Sequence, residues 1–343
     1  MNDRFLRACL RQPVDVTPVW FMRQAGRYME DYRALRQRYS LLQICAEPEL
    51  ACAVTLQPVD LIEVDAAILF SDLLLPFTPM GLDFDFVKGE GPSIGNPIRH
   101  PGDVRRLRLF EPREALAHVL ATITLLRREL ANRVPLIGFG GAPFTMASYA
   151  IEGGPSTTYA KTKTFMYAQP DAWHDLCGRF AKIMADYLCA QIEAGVQAVQ
   201  VFDSWAGQLS RVDYREFARP HTERIFEALA GKGVPLIHFG VGTSAILPDL
   251  AAAGGDVIGV DWRQPLDEAW ERIGHDRAIQ GNLDPTLLLG PTERLFSAAD
   301  DVLRLAAGRP GHIFNLGHGV LPTTPLDHVQ QLAKHVHGLR LMT

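Results

Sequence analysis

The chain of 343 residues has 47% hydrophobic residues, 21% charged residues and a formal net charge of −5. This composition is ordinary for a globular protein and excludes the global positive field that attracts nucleic acids or anionic membranes. The N-terminal residues mix acids and bases, and no apolar run approaches the ~20 residues of a membrane-spanning helix. We therefore expect a cytoplasmic protein that recognises any anion locally.

Eight short apolar segments, each bounded by Pro, Gly or Asp, have the residue types of buried parallel strands. In chain order they are PVWFM near residue 18, AAILF near 66, PLIGFG near 135, AVQVF near 198, PLIHFG near 235, VIGV near 257, AIQG near 278 and HIFNLG near 312. Segments with helical periodicity lie between them, of which the clearest run from Pro112 to Asn132 and from Pro170 to Gly195.

This alternation predicts an α/β protein, a (β/α)8 TIM barrel that forms a single domain over residues 1–343. An open, doubly wound sheet is the alternative. Such a sheet would be expected to carry a G-x-G-x-x-G turn after its first strand, whereas the chain has RQAGR there. The barrel is therefore the favoured fold.

One insertion interrupts the alternation after the second strand, with the sequence GLDFDFVKGEGPSIGNPIRHP. Leu82, Phe84 and Phe86 alternate with other residues before a run rich in Gly and Pro. This pattern predicts a short hairpin and loop over the mouth of the barrel.

The five cysteines are odd in number and contain no Cys-x-x-Cys pair; they are Cys9, Cys45, Cys52, Cys177 and Cys189. No histidine lies near them at the spacing of zinc ligands. We interpret them as reduced thiols in the core.

Polar residues concentrate after the predicted strands, whereas the residues before them are mostly Val, Pro, Gly or Ala. The residues after the strands are Arg23, Arg27, Ser71, Asp72, Gly140, Gly141, Asp203, Ser204, His238, Gly240, Asp261, Asn282, Asp284 and His318. In a parallel barrel the carboxyl ends of the strands meet on one face, which carries the active site. The asymmetry therefore predicts a site at that face.

Arg23 and Arg27 flank Gly26, whose missing side chain lets a ligand approach the backbone. Guanidinium groups match carboxylates in a bidentate way and stay charged, so the pair indicates a carboxylate clamp. The alternative is a solvated helix surface whose arginines pair with Glu30–Asp31, and Arg33 fits that alternative best.

Three more residues each have a functional and a structural interpretation. Asp72 directly follows an apolar strand, where a buried carboxylate needs a cation, an amide or a ligand, and a capping role is its alternative. His318 lies between two glycines and either contacts a ligand or packs. Tyr149 either donates a hydrogen bond or fills the mouth. A structural role is assigned to His312, His328, His335 and His337.

Five motifs resemble, in order, those of the uroporphyrinogen decarboxylase family: PVWFMRQAGRY, FSDLL, GFGGAPFTMASYAIEGG, FDSWAG and NLGHGV. They extend from near residue 17 to residue 320. The resemblance implies a (β/α)8 barrel, usually a homodimer, that acts without a cofactor or metal. It also implies conversion of uroporphyrinogen to coproporphyrinogen in haem biosynthesis, by decarboxylation of four acetate side chains to methyl groups.

The resemblance further implies the residues that bind the substrate, matched motif by motif. They are Arg23, Gln24, Ala25, Gly26, Arg27, Asp72, Tyr149, Ser204 and His318. Arg36 lies where the family often has another arginine that faces a carboxylate. Met29-Glu30 departs from the Leu-Pro that is common after the arginine motif, which affects the turn and not the chemistry.

The implied reaction assigns roles to these residues. Loss of carbon dioxide needs an electron sink, which a pyrrole protonated on a ring carbon provides without pyridoxal or thiamin. We expect Asp72 to stay ionised and stabilise that cation. Because a guanidinium is a poor proton donor, Arg23 is assigned to orienting the substrate first and to delivering a proton only through water. His318 is the second candidate acid because its pKa is expected near the working pH.

Two other functions compete with this interpretation. A zinc-dependent methyltransferase of the corrinoid-linked group resembles this barrel but needs a His-x-Cys pair and a later Cys. The chain instead has His238-Phe239-Gly240 and no cysteine after Cys189, so that metal site cannot be built. A tetrapyrrole carrier would keep the arginines but would need no carboxylate at the centre of the macrocycle.

Overall fold

The structure is a computed structural model that describes residues 2–87, 91–131 and 133–339. Its strands are β1 Ala67–Ile68, β2 Phe84–Val87, β3 Gly91–Ile94, β4 Leu136–Gly141, β5 Ala198–Asp203, β6 Leu236–Gly240, β7 Val257–Gly259, β8 Ala278–Gln280 and β9 His312–Ile313. The α-helices are α1 Arg4–Cys9, α2 Glu30–Arg38, α3 Leu41–Ala46, α4 Pro48–Leu61, α5 Phe77–Met80, α6 Pro101–Arg106, α7 Pro112–Ala115, α8 Ala117–Leu130, α9 Pro143–Glu152, α10 Ala160–Ala168, α11 Pro170–Ala194, α12 Arg211–Asp213, α13 Arg219–Leu229, α14 Leu247–Ala253, α15 Leu266–Ile273, α16 Thr292–Ala306 and α17 Leu326–Gly338.

The sheet confirms the predicted barrel. Within the described residues, seven parallel strands follow one another in the order β1-β4-β5-β6-β7-β8-β9, with helices between them. A doubly wound sheet would reverse its strand order at a switch point, and this order does not reverse. The open alternative is therefore excluded.

The first predicted strand, PVWFM, is not a regular strand. It contributes one parallel bridge, between Val19 and Phe314, and lies between β9 and β1, where it closes the barrel. The Asp65 N–H donates to the Val19 carbonyl at 2.7 Å, and the Met22 N–H donates to the Asn315 Oδ1 at 3.1 Å. The side-chain oxygens of Asn315 and Asp65, which accept from Met22 and Val19, thus replace part of the ladder, so the expected eighth strand is reduced to a bridge.

Asp65 holds this closing segment in place from a fully buried position. Its Oδ2 accepts the Val19 N–H at 2.7 Å and also contacts the His337 Nε2 at 2.7 Å. Its Oδ1 accepts from the Asn2 side chain at 2.6 Å. One carboxylate therefore joins the N-terminus, the closing segment and α17.

The N-terminal end of the barrel is closed by α1. Phe5 and Cys9 are buried there in one cluster with Trp20, Ile237 and Ala278. With this end plugged by apolar side chains, the open end is the carboxyl end of the strands.

The longest predicted helix is confirmed as α11, which begins at Pro170 and ends before Gly195. Gly195 adopts φ 118°, a conformation that glycine accepts without strain, and its N–H caps the helix. The other predicted helix is divided between α7 and α8, because Leu116 leaves helical geometry at φ −117°. Its predicted end at Asn132 lies outside the described residues.

The predicted hairpin is present as the antiparallel pair β2 and β3. Phe86 of β2 and Pro92 of β3 border the same groove as Arg23, so the hairpin lies at the mouth as expected. Residues 88–90, which lie between the two strands in the sequence, are outside the described residues. In the described part of the chain, every helix falls short of the length or the apolar character that would let it cross a membrane.

We predict that Asp65→Ala lowers the free energy of unfolding by about 3 kcal/mol, because the buried Val19 N–H and the partly buried Asn2 and His337 side chains lose their acceptor together. Urea unfolding followed by circular dichroism measures this change. The matched control is Asp60→Ala, which removes a 54% exposed carboxylate paired with Arg133 and should cost less than about 1 kcal/mol. Equal losses in the two variants would show that Asp65 does not close the barrel.

Candidate active site

Two connected cavities open at the carboxyl ends of the strands. The inner cavity, of about 220 Å³, is bordered by Arg23, Asp72, Ser204 and His318 together with a wall of apolar side chains. The outer groove, of about 940 Å³, is bordered by Arg23, Arg27, Arg36 and the hairpin. Arg23, Ala25 and Asp72 border both, so the two cavities form one continuous site.

Asp72 lies at the point where β1 gives way to a turn. Its Oδ1 accepts the Leu74 N–H at 2.8 Å, as a turn-capping aspartate does, so the predicted structural role is present alongside the cavity position. Burial raises the pKa of this carboxyl to about 6, against the opposing effects of the Leu74 N–H and the Arg23 charge. The carboxylate is thus ionised above about pH 6 but strongly desolvated.

Arg23 lies within electrostatic range of Asp72 and is held in an unusual backbone conformation. Its φ is 59°, in the left-handed region that non-glycine residues rarely adopt. Its side chain is reached by solvent through the open cavity, while protein surrounds most of the guanidinium. Burial lowers the pKa of Arg23, the neighbouring Arg27 lowers it further, and Tyr149 and Asp72 raise it.

The segment from Arg23 to Arg27 divides into residues that face the site and one that does not. Arg23, Ala25, Gly26 and Arg27 border the cavities. Gln24 does not border them, because its fully buried side chain accepts the Phe21 N–H at 3.1 Å and donates to the Ala66 carbonyl at 3.0 Å. Its side chain therefore holds the segment against the barrel.

Gly26 is required by conformation. Its φ of 145° is strained for residues with a side chain, while a Cβ added there meets no heavy atom of the described residues within 4 Å. The space beside this backbone is open to the outer groove, as the sequence predicted.

Two further arginines lie on the groove. Arg36 donates to the Tyr39 carbonyl at 2.7 Å and borders the groove, in keeping with the position expected for it. Arg33 also borders the groove and donates to the carbonyls of Tyr28 and Arg27 at 2.7 and 3.3 Å. It thus supports the backbone of the arginine segment, whereas contacts with Glu30–Asp31 were expected.

Tyr149 lies on α9, and the residues that border the two cavities do not include it. Its ring packs against Trp205, the residue that follows Ser204, with a centroid distance of 3.9 Å. Burial raises the pKa of Tyr149 to about 12, and the nearby Asp72 charge contributes to the increase while Arg23 opposes it. The hydroxyl therefore stays protonated and is available as a donor.

His318 borders the inner cavity as a neutral side chain. Its Nδ1 accepts the Gly319 N–H at 2.7 Å, so the proton of the neutral ring lies on Nε2. Burial, together with the charges of Arg23 and Arg263, lowers the pKa of His318 to about 4, against the opposing effect of Asp261. The expectation of a pKa near the working pH was wrong, because the sequence does not reveal burial or remote cations.

An aromatic wall is the part of the site that sequence reasoning missed. Phe139, Phe202 and Phe239 follow one another on β4, β5 and β6, with ring centroids 5.6 and 5.9 Å apart, and all three border the inner cavity. Side chains alternate faces along a strand, so Phe202 points inward where Asp203 cannot. This alternation of side chains along each strand was the sequence signal that could have predicted the wall.

Several polar residues at the strand ends serve the structure instead of the cavity. Asp203 and His238 are fully buried, and their Oδ2 and Nε2 atoms are 3.7 Å apart. The Asn282 amide donates to the Asp261 carbonyl at 2.9 Å, and Asp284 caps the turn that begins at Pro285.

Each histidine that was assigned a structural role contacts an oxygen atom of another residue. His312 contacts the Gly281 carbonyl at 2.9 Å, His328 the Leu288 carbonyl at 2.8 Å, His335 the Asp300 carboxylate at 2.6 Å and His337 the Asp65 carboxylate at 2.7 Å. The cysteines are free, with four buried and Cys189 partly exposed. Among the described residues, no three His, Cys, Asp or Glu side chains are grouped as metal ligands.

The fold and site define a (β/α)8 barrel protein with an acid and several arginines around an apolar cavity at the carboxyl ends of its strands. A family model described as "Uroporphyrinogen decarboxylase (URO-D)" matches residues 1–339. The chain belongs to this family.

Individual relatives agree over nearly the whole length. The uroporphyrinogen decarboxylase of Sorangium cellulosum (strain So ce56) is 57% identical over 339 residues, which cover 99% of this chain and 97% of that protein. That of Carboxydothermus hydrogenoformans is 53% identical, with the same coverage of both chains. A solved methyltransferase from Methanosarcina mazei has a TM-score of 0.82 at 21% identity and covers 98% of this chain and 97% of its own, which supports the fold alone.

We predict that Asp72→Asn raises the thermal midpoint above about pH 6, where burial disfavours the charged carboxylate of the folded protein. A raised folded-state pKa means that the folded state binds more protons than the unfolded state between about pH 4 and 6. The wild type therefore loses stability as the pH rises through this window, and the variant does not. The difference should shrink toward pH 4.

Calorimetry between pH 4 and 8 measures this difference. The exposed Asp60→Asn serves as the control and should show no comparable pH-dependent gain. A midpoint for Asp72→Asn below that of the wild type at pH 7.5 would show that this carboxylate contributes to stability instead of opposing it.

Proposed function

We propose that this chain is a carboxy-lyase that converts uroporphyrinogen III to coproporphyrinogen III in porphyrin and haem biosynthesis. It removes the carboxyl groups of four acetate side chains and leaves methyl groups, without a cofactor. The observation that carries this proposal is a desolvated carboxylate, Asp72, which borders both the inner cavity beside Arg23 and the outer groove with its further arginines. Relatives named uroporphyrinogen decarboxylase match almost the entire chain.

The proposed chemistry uses the substrate as its own electron sink. A proton adds to a pyrrole ring carbon, the bond to the acetate carboxyl breaks, and its electron pair moves into the cationic ring as carbon dioxide leaves. The exocyclic carbon then takes a proton to become a methyl group, and the ring loses its added proton. Each acetate thus consumes one proton and releases one carbon dioxide.

Asp72 is the catalytic carboxylate in this scheme. A carboxylate and a protonated pyrrole at ~4 Å interact by about 4 kcal/mol at an effective dielectric of ~20. Realised mainly in the transition state, that energy corresponds to roughly three decades of rate. The carboxylate is already desolvated in the folded protein, so little reorganisation is needed when the cation forms.

The arginines hold the remaining carboxylates of the substrate. Arg23 borders both cavities and orients the reacting side chain, whereas Arg27 and Arg36 face the groove and bind carboxylates on the macrocycle rim. Ala25 and Gly26 expose backbone beside them, and Gln24 anchors the segment from behind.

Tyr149, Ser204 and His318 complete the proposed pocket as neutral groups. Tyr149 and the Nε2 of His318 donate hydrogen bonds, and Ser204 borders the inner cavity. With its pKa near 4, His318 is a poor store of the proton that the reaction consumes.

We further propose that residues 1–343 act as one barrel domain and that two chains form a homodimer in the cytoplasm, where the five free cysteines suit a reducing environment. Sedimentation equilibrium should give about twice the chain mass of 38.0 kDa. The mass of a single chain at micromolar concentration would contradict the dimer.

We predict that the wild type, incubated anaerobically with uroporphyrinogen, yields products with progressively fewer carboxyl groups. Asp72→Asn should lower kcat by about three orders of magnitude and change substrate affinity less than about threefold, because the carboxylate acts mainly on the transition state. Chromatography of the products measures turnover, and equilibrium dialysis measures binding. Equal losses in both would contradict the electrostatic role.

The pH dependence provides the matching check. For the wild type, kcat/KM should fall as the pH decreases through about 6, because Asp72 takes up a proton. Asp72→Asn should lack that decline. Intact substrate bound to the wild type at every pH would instead favour a tetrapyrrole carrier.

A further inference from the structure

Gly319 faces Arg23 across the inner cavity wall, and its lack of a side chain is a requirement of space. A Cβ built on Gly319 would lie 2.5 Å from the Arg23 Cδ, 2.7 Å from its Cγ and 3.0 Å from its Cβ. Its backbone is outside the left-handed region, so a residue with a side chain could adopt it. Gly26 is the opposite case, with strained φ and open space.

Arg23 cannot easily move out of the way. Its own φ of 59° fixes the direction of its Cβ, and this atom moves only with the backbone. The Val320 N–H donates to the Met22 carbonyl at 2.9 Å, which holds the two backbones together directly beside the contact. A side chain at position 319 would therefore displace the Arg23 stem and, with it, the guanidinium.

The same glycine determines the state of the neighbouring imidazole. Its N–H donates to the His318 Nδ1 at 2.7 Å, which leaves Nε2 as the protonated nitrogen. Gly319 thus contacts both Arg23, the cation of the inner cavity, and His318, its neutral hydrogen-bond donor.

We propose that Gly319 is a positioning residue, which places the Arg23 guanidinium for a substrate carboxylate and presents the His318 Nε2–H to the ligand. This inference rests on the proposed function for the identity of the ligand. The contact between Gly319 and Arg23 is independent of the proposed function. Displacement of a positioning cation by about 1 Å is expected to cost as much as 100-fold in rate.

The test is a double-mutant cycle with Gly319→Ala, Arg23→Ala and the double variant, measured as kcat/KM for uroporphyrinogen. Gly319→Ala should lower kcat/KM by about 10- to 100-fold in the wild-type background, and by less than about threefold when Arg23 is already Ala. The matched control is Gly338→Ala, whose added Cβ meets no described heavy atom within 4 Å and which should keep wild-type kcat/KM. An equal factor in both backgrounds overturns the proposal.

Thermal midpoints of the same variants keep the test independent of turnover. Arg23→Ala removes the two stem atoms nearest to the added Cβ, so it should restore most of the midpoint that Gly319→Ala loses. Recovery in the double variant supports the contact even if Gly319→Ala alone fails to fold, and failure to recover overturns it. Absence of any product with the wild type would contradict the proposed function, but the cycle of thermal midpoints would still be interpretable.

Discussion

The buried carboxylate of Asp65 is the constraint on which the geometry of the site depends. The barrel is closed by an apolar segment that makes one bridge to Phe314, and Asp65 binds its backbone at Val19. Four residues further along stands Arg23, so the hydrogen bonds at Val19 also determine where the guanidinium enters the cavity. Because His337 and Asn2 contact the same carboxylate, both ends of the described chain take part in placing the site.

In the inner cavity, Asp72 carries a charge that its surroundings in the protein disfavour. Apolar rings surround the inner cavity, and the Leu74 N–H and the Arg23 cation only partly offset the desolvation. Such an arrangement opposes stability but matches a ligand that becomes positively charged beside the carboxylate. The capping role and the proposed catalytic role are therefore compatible, since one oxygen accepts from Leu74 and the carboxylate still borders the cavity.

Much of the fold was predictable because its signals are local. The run of apolar residues after Pro170 and the glycine at 195 predicted α11 closely, since helix periodicity, an N-terminal proline and a C-terminal glycine act within one segment. The first strand was overpredicted for the same reason. PVWFM has the composition of a strand, but its partners include the side chains of Asp65 and Asn315, which a local pattern does not reveal.

For the site, the sequence by itself determined the residue types at the strand ends, the order of the motifs and thereby the family. It also placed Arg23, Asp72, Ser204 and His318 on one face, because parallel strands share the direction of their carboxyl ends. Only the tertiary structure decided that Gln24 turns inward, that three phenylalanines form a wall, and that the pKa values of Asp72 and His318 move to about 6 and about 4. Burial and electrostatic fields come from atoms far apart in the chain, so they exist only once the barrel has closed.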